Sequence, residues 1–290
     1  MGFRTIIVNT HSKLSYQNNH LIFRTAERIE MIHISEVDIL LCETTDIAVT
    51  TMLLNQLIDE DVLVIFSDAK RLPNSILMPY YGRHDASLQL QNQISWKVQT
   101  KEKIWTDVIT QKINNQAQLL RNNGLDEKAD NISSAIGNLQ MNDPANVEGH
   151  TARIYFNALF GNSFARDDGS EVNKALDYGY TLLMSMFARE VVKCGCLTQL
   201  GIKHANQFNQ FNLASDLMEP FRCIVDEIVY KNRKDSFPRI KRQLFNMFGD
   251  TYHYGNSDMY LTNIVSDYVK KVVDCLHNDE GAIPEFAVIG

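Results

Sequence analysis

The hydrophobic pattern of the chain changes once, near residue 80. Before that point, short runs of β-branched and aromatic residues have the length of strands, and one stretch, residues 50–58, has helical spacing. The predicted strands cover residues 5–9, 20–23, 30–34, 37–41 and 62–66. This pattern predicts a small, β-rich N-terminal domain over residues 1–76.

Prolines and a glycine end this pattern. Pro73, Pro79 and Gly82 fall within a few residues of one another, so we place a linker at residues 77–84. Beyond the linker, apolar positions recur with helical spacing. The predicted helices cover residues 85–97, 105–121, 127–139, 148–160, 173–193, 216–230, 240–248 and 258–275. Residues 85–290 are therefore expected to form a larger all-α domain that holds the chemistry, and the fold class is α+β.

Composition adds three constraints. Five cysteines make an odd count without zinc-ribbon spacing, which favours a reduced cytosol and a cytoplasmic protein. The N-terminus lacks a signal-peptide pattern, and the longest apolar run is too short to cross a bilayer, so no membrane is implied. The formal net charge of −7 argues against binding of nucleic acid through the overall charge of the protein.

One segment departs from the acidic average. Residues 231–242 contain a single acid and the basic residues Lys231, Arg233, Lys234, Arg239, Lys241 and Arg242. By itself this run is typical of a solvated helix face. The alternative is a basic surface that binds the phosphate backbone of DNA.

Asp216 and Glu219 form the first candidate pair. They lie three residues apart at the predicted start of a helix, with Ser215 as N-cap, so their side chains are expected on nearly the same face beside the positive end of the helix dipole. Carboxylates in this place suit a metal ion and a phosphate together. The alternative is ordinary acidic capping of a helix.

Glu148 and His204 are less distinctive on their own. Glu148 follows the helix-start signal Asp143-Pro144, so by itself it is explained as an ordinary acidic residue in the first turn of a helix. His204 precedes an amide-rich loop, where a lone histidine is more often structural. His150 is a rival ligand, but on a helix it points about 200° away from Glu148.

Several segments together indicate a family. The strings VEGHTARIYF (147–156) and LDYGYTLL (176–183) and residues 204–222 occur in the order and at the separations of the CRISPR-associated integrase that inserts new spacers. The chain resembles that family, and the strings RTIIVNTHSKLS (4–15) and AREVVKCGC (188–196) resemble its type II-A version.

The resemblance implies a metal site and a reaction. Glu148, His204 and Glu219 would be the catalytic metal ligands, with Asp216 as an accessory acid. Oxygen donors suit Mg²⁺ or Mn²⁺, and one imidazole tilts the site toward Mn²⁺. The 3′-OH of a short captured DNA would attack a phosphodiester at the repeat boundary, without a protein nucleophile.

The resemblance also implies partners. These are double-stranded DNA with 3′ ends, the CRISPR leader-repeat DNA, and a second copy of the chain paired through the β-rich domain. Two such homodimers would be bridged by a dimer of a small ferredoxin-like Cas protein. The type II-A resemblance adds a ring-forming DNA-end-binding protein and the effector nuclease.

DNA contacts are expected at residues of both domains. For Tyr178, packing in the core is as good an explanation as a DNA contact. For His11, a position in an exposed turn without any function is an equally good explanation. The candidates are His11, Lys13, Arg83, His84, Tyr178, Lys203, Lys231, Arg233, Lys241 and Arg242. Two other functions stay open: a structure-specific nuclease acting on branched DNA, and a non-catalytic dimeric scaffold that binds DNA ends.

Overall fold

The structure is a computed structural model that describes residues 2–166, 168–279 and 282–286. The chain divides into two compact units, residues 1–81 and 82–290, and the predicted linker 77–84 spans the division. None of the described helices combines the length and the apolar character needed to cross a bilayer.

The N-terminal unit contains two four-stranded sheets and one helix, α1 (Thr51–Asp59). Its strands are β1 (Arg4–Val8), β2 (Ser12–Gln17), β3 (His20–Arg24), β4 (Ile29–His33), β5 (Val37–Cys42), β6 (Ile47–Val49), β7 (Leu63–Ser67) and β8 (Pro73–Leu77). One sheet has the order β1-β5-β7-β8 and is parallel except for β8. The other has the order β4-β3-β2-β6 and is antiparallel except for β6. Leu14, Leu40 and Leu53 share one buried cluster, which joins both sheets and α1.

Strand β2 was absent from the sequence prediction. Its sequence, SKLSYQ, is mostly polar, yet Ser12 and Leu14 are buried while Lys13 points outward. The strand is held by β3 and β6 on its two sides, so pairing and one buried leucine replace the continuous apolar run on which the prediction relied.

The C-terminal unit is helical. Its helices are α2 (Ala86–Ile94), α3 (Val98–Asn122), α4 (Asp126–Ala135), α5 (Val147–Phe160), α6 (Glu171–Lys193), α7 (Asn212–Leu217), α8 (Arg222–Lys231), α9 (Phe237–Leu244) and α10 (Leu261–Asn278). Helix α3 packs against α4, α5, α8 and α10, so it forms the centre of this unit. The predicted fold class, a β-rich N-terminal part followed by a helical C-terminal part, is confirmed.

Most predicted helices differ from the structure only at their ends, as α3 does by beginning at Val98 instead of residue 105, but two differ in kind. Residues 216–230 are not one helix: α7 ends at Leu217, a 3₁₀ turn covers Glu219–Phe221, and α8 begins at Arg222. Pro220 explains the break, because it has no N–H for a helical hydrogen bond and its ring collides with the preceding turn. Ser215 is consequently inside α7 and is not an N-cap.

The other difference is a hairpin. The strands β9 (Thr251–Tyr254) and β10 (Ser257–Tyr260) pair antiparallel around the two-residue turn Gly255-Asn256, where Gly255 has φ +61°. The helix predicted over residues 258–275 therefore begins only at Leu261.

Helix α6 is almost wholly buried, and its glycine has a packing role. A Cβ atom on Gly179 would lie 2.5 Å from Cγ1 of Val225 and 3.0 Å from a methyl of Leu244. The close approach of α8 and α9 to α6 thus requires a residue without a side chain.

Candidate active site

Glu148 is held in the first turn of α5 by local capping. The Asp143 carboxylate accepts hydrogen bonds from the backbone N–H groups of Val147 (2.7 Å) and Glu148 (2.9 Å). Asn146, in the left-handed region at φ 53°, accepts one from Gly149 at 3.3 Å. The helix start is thereby fixed, and the Glu148 side chain extends toward α3.

Glu148 and Glu219 converge on a single cation, the side chain of Lys112 from the middle of α3. Lys112 Nζ lies 2.5 Å from Glu148 Oε1 and 2.6 Å from Glu219 Oε2. Arg222 approaches the other oxygen of Glu219, with Nε 2.9 Å from Oε1. Two carboxylates and two cations thus balance in charge at a largely buried place, since Lys112 is only 7% exposed and Glu219 5%.

The charges of this cluster reinforce one another. Burial alone would raise the pKa of the Glu219 carboxyl, but Arg222 and Lys112 outweigh burial and lower that pKa to about 2. Burial likewise opposes protonation of Lys112, yet Glu219 and Glu148 raise the pKa of its ammonium above the ordinary value. Glu219, Lys112 and Arg222 are therefore ionised at neutral pH.

His204 is fixed by Asp216. The Asp216 carboxylate is fully buried and accepts the backbone N–H groups of Ile202 (2.6 Å), Lys203 (3.0 Å) and His204 (3.1 Å). It also lies 2.5 Å from Nδ1 of the His204 ring, and this hydrogen bond raises the pKa of the imidazole although burial opposes the charge. With Nδ1–H donating to Asp216, Nε2 is the ring nitrogen that carries a lone pair.

Asp216 is accordingly a supporting acid for the histidine. It lies in α7, whereas Glu219 lies in the 3₁₀ turn that follows, so the two acids are not on one helix as the sequence suggested. Gly201 permits this arrangement, because a Cβ atom there would lie 2.4 Å from the His204 carbonyl oxygen and 2.7 Å from Asp216 Oδ2. Trp105 meets the His204 ring edge-on, with ring centroids 5.6 Å apart. The loop 201–204 is wrapped tightly around one carboxylate.

The donor set fits a hard divalent ion, although the three predicted ligands are not gathered around one point. Within residues 2–166, 168–279 and 282–286, no group of three or more His, Cys, Asp or Glu side chains is placed to hold a metal together. Glu219 Oε2 is nevertheless buried and accepts no hydrogen bond from those residues, since its contact with Lys112 Nζ lacks hydrogen-bond geometry. A buried carboxylate oxygen in that state suits a cation of higher charge.

The comparison with protein families decides the assignment. A sequence model described as CRISPR associated protein Cas1 matches residues 5–237, well over half of the chain. The chain belongs to the Cas1 family. The predicted family is confirmed, and with it the predicted class of function, a CRISPR-associated endonuclease.

Curated Cas1 relatives span most of the chain. It is 29% identical to the CRISPR-associated endonuclease Cas1 of Neisseria meningitidis serogroup C (strain 8013) over 260 residues, which cover 88% of this chain and 84% of the relative. It is 27% identical to a CRISPR-associated endonuclease Cas1 of Francisella tularensis subsp. novicida (strain U112) over 196 residues, which cover 57% of this chain and 62% of the relative.

Solved structures show the same fold. A casposase bound to integration product aligns over 98% of this chain and 94% of its own, with a TM-score of 0.78 and 17% identity. A Cas1 protein from Thermotoga maritima aligns over 98% of this chain and 100% of its own, with a TM-score of 0.74 and 12% identity. At these identities the likeness concerns the fold alone.

A second buried hydrogen-bond network is centred on Asp226, four residues after Arg222. Asp226 accepts hydrogen bonds from the hydroxyls of Tyr155 (2.8 Å) and Tyr180, and burial raises the pKa of its carboxyl to about 6. The Arg222 guanidinium lies 4.6 Å from the centre of the Tyr180 ring. Tyr155 and Tyr180 are thus buried and hydrogen-bonded inside the unit, and the Tyr180 ring packs against Arg222.

The predicted DNA contacts divide into exposed and buried residues. Tyr178 and Lys241 are only 2% and 7% exposed, and Lys241 Nζ lies 4.6 Å from the centre of the Tyr178 ring. Burial leaves neither side chain at the surface, so packing is the better interpretation of both. The remaining candidates are exposed: His11, Lys13, Arg83, His84, Lys203, Lys231, Arg233 and Arg242.

Several exposed candidates have partners within the chain. His11 Nδ1 lies 2.7 Å from Asp46 Oδ1, and Arg83 Nε lies 2.6 Å from Asp85 Oδ1. Lys203 Nζ donates to the backbone and side-chain oxygens of Asn142 at 2.9 and 2.8 Å. His150, the rival ligand, is exposed.

Sequence reasoning missed Lys112 and Arg222. A usable signal existed for Lys112, because it follows Val108 and Ile109 at spacings of four and three on the buried face of α3. A lysine on an apolar stripe predicts a buried ion pair, since an unpaired ammonium is rarely found there. Which acids pair with it cannot be read locally, because they lie 36 and 107 positions away.

Proposed function

We propose that this chain is the integrase of type II-A CRISPR adaptation. It would join the 3′-OH of a short captured duplex to a phosphodiester at the repeat boundary of the array. The observation that carries the proposal is the convergence of Glu148 and Glu219 on one buried cation, beside a histidine fixed by a buried carboxylate. The resemblance of residues 4–15 and 188–196 to type II-A sequences supports the subtype.

Glu148, Glu219 and Nε2 of His204 would hold one Mg²⁺ or Mn²⁺. When bound, such an ion lowers the pKa of the attacking hydroxyl and offsets charge that develops on the phosphate. The chain prepares its own ligands: Arg222 keeps Glu219 ionised, and Asp216 keeps the lone pair of His204 on Nε2.

Direct attack by DNA agrees with the chemistry around the cluster. Cys223 lies one residue beyond Arg222, but it is buried and burial raises the pKa of its thiol well above the ordinary value, so it is a poor nucleophile. The chain's contribution is then to orient two DNA ends and to stabilise charge, and orientation alone removes a large part of such a barrier.

The DNA would follow exposed basic residues. Among the predicted contacts, these are Arg83, His84, Lys203, Lys231, Arg233 and Arg242 in the C-terminal unit and His11 and Lys13 in the N-terminal unit. Favourable charge at the lysines and arginines of this set offsets the net charge of −7, which predicts DNA binding that weakens steeply with salt.

The proposed assembly is a homodimer, with two dimers bridged by a small Cas partner. One structural neighbour, at a TM-score of 0.76 and 16% identity, is a Cas6-RT-Cas1–Cas2 complex, and this chain covers 36% of that longer chain. A ring-forming DNA-end-binding protein and the effector nuclease remain expectations from the type II-A resemblance.

The test is strand transfer on a plasmid that carries a leader and repeat, with a labelled 3′-OH duplex, the bridging partner, and Mn²⁺ or Mg²⁺ against chelator. We expect metal-dependent joining that is lost in Glu148→Gln, His204→Ala and Glu219→Gln and retained in the control Glu171→Gln, which changes an exposed acid. Cleavage of branched DNA without joining would favour the nuclease. Binding without any reaction would favour the scaffold.

A further inference from the structure

Lys112 has an unusual position for a lysine. Its ammonium is buried in the middle of a 25-residue helix, between the two carboxylates that the proposed function assigns to a metal. It donates a hydrogen bond to Glu148, whereas its 2.6 Å contact with Glu219 Oε2 is an ion pair without hydrogen-bond geometry. The ammonium therefore lies within ion-pair distance of both carboxylates but is better aligned for a hydrogen bond with Glu148.

We propose that Lys112 is a built-in placeholder cation, whose ammonium holds Glu148 and Glu219 together in the metal-free protein and moves aside when a divalent ion takes its place. This inference rests on the proposed function, because it requires Glu148 and Glu219 to be the metal ligands. It assigns Lys112 as a positioning residue and gives the site two alternative cations.

Charge explains why a placeholder is needed. Without Lys112, the two carboxylates would lose their shared cation, and among the described residues Arg222 would remain paired with Glu219. A buried charge without compensation is costly. Lysine suits the role, because its ammonium is a compact point charge on a flexible four-carbon stem that can withdraw.

Geometry explains why the ion would win. A divalent ion doubles the charge at the same place, and it binds carboxylate oxygens at about 2.0 to 2.2 Å, closer than the 2.5 and 2.6 Å of the ammonium. It would also satisfy Glu219 Oε2, which accepts no hydrogen bond from the described residues. Competition by Lys112 then weakens the apparent metal affinity, because the intrinsic dissociation constant is divided by the fraction of molecules in which the ammonium has left the site.

The experiment measures Mn²⁺ binding to the purified full chain by electron paramagnetic resonance of free Mn²⁺, together with thermal unfolding in chelator and in Mn²⁺. The variants are Lys112→Met, which removes the charge, and Lys112→Arg, which keeps it. Lys101→Met removes a lysine from the same helix away from the carboxylates and is the matched control.

We expect Lys112→Met to bind Mn²⁺ about tenfold more tightly than wild type, because the competing cation is gone. Its melting temperature should fall in chelator, and Mn²⁺ should raise it by more than in wild type. Lys112→Arg should fold like wild type and bind Mn²⁺ no more tightly, and Lys101→Met should match wild type in both measurements.

Equal or weaker Mn²⁺ binding by Lys112→Met would overturn the placeholder, as would a larger affinity in Lys112→Arg than in wild type. Failure of Lys112→Met to fold even in Mn²⁺ would also overturn it, since the ion should replace the missing charge. Failure of the proposed metal site looks different: wild type itself would bind no Mn²⁺, or Glu148→Gln and Glu219→Gln would leave its binding unchanged.

Discussion

Replacing Asp216 with asparagine should reverse the two nitrogens of His204. In the wild-type chain the carboxylate accepts three backbone N–H groups from residues 202–204 and also the Nδ1–H of the imidazole. The amide of Asp216→Asn has one oxygen and one NH₂ group. Some of the N–H donors that the carboxylate accepts in the wild type would therefore face another donor. If the amide oxygen keeps Ile202 and Lys203, the NH₂ group faces Nδ1, which must then hold the lone pair and leave the proton on Nε2.

The expected magnitudes follow from these contacts. Hydrogen bonds to a charged acceptor are worth about 1.5 to 3 kcal/mol each, and the variant weakens at least one of them, so the free energy of unfolding should fall by roughly 2 to 4 kcal/mol. Loss of the group that orients a metal-binding histidine typically costs about 10- to 100-fold in metal affinity or activity.

The assay combines urea unfolding in chelator with Mn²⁺ binding and strand transfer in folded samples. Asp235→Asn, which weakens an exposed ion pair with Arg239, is the control and should behave like wild type. An Asp216→Asn protein that loses stability yet keeps wild-type Mn²⁺ affinity and strand transfer would refute the tautomer argument.

Three further predictions concern the C-terminal unit. Gly179→Ala should lower the free energy of unfolding by about 1 to 3 kcal/mol in urea titrations, because its methyl would lie 2.5 Å from Val225; unchanged stability would contradict the tight packing. Phe286→Ala should cost about 3 kcal/mol in the same assay, since Phe286 stacks on Phe221 with ring centroids 4.0 Å apart, and a loss below 1 kcal/mol would argue against that stack. Burial raises the pKa of the Asp226 carboxyl from 3.8 to about 6, so the folded chain binds the carboxyl proton more tightly than the unfolded chain does. The stability that this proton contributes is therefore complete below about pH 4 and is lost as the pH rises through 6. Asp226→Asn lacks this titration, and its stability relative to wild type should therefore rise by roughly 3 kcal/mol between pH 4 and 7; a constant difference would contradict the assignment.

The sequence by itself determined the order of elements and the family. Runs of β-branched residues and helical spacing are local properties, so they located most strands before residue 80 and most helices after it. The segments around Glu148, His204 and Glu219 indicated the family by their order, although each residue alone had an ordinary structural explanation. Local patterns failed where tertiary contacts overrode them, as in the mostly polar strand β2 and in the hairpin that precedes α10.

Only the tertiary structure decided how the site is arranged. Lys112 meets Glu148 and Glu219 from 36 and 107 positions away, and no local pattern encodes a contact at such separations. The break at Pro220 separates Asp216 from Glu219, so one acid serves the histidine while the other faces the buried cation. The sequence specifies which charged groups are present. Which of them neutralise one another depends on the packing of α3 against α5 and α8, because a buried charge is stable only beside a partner that the fold places next to it.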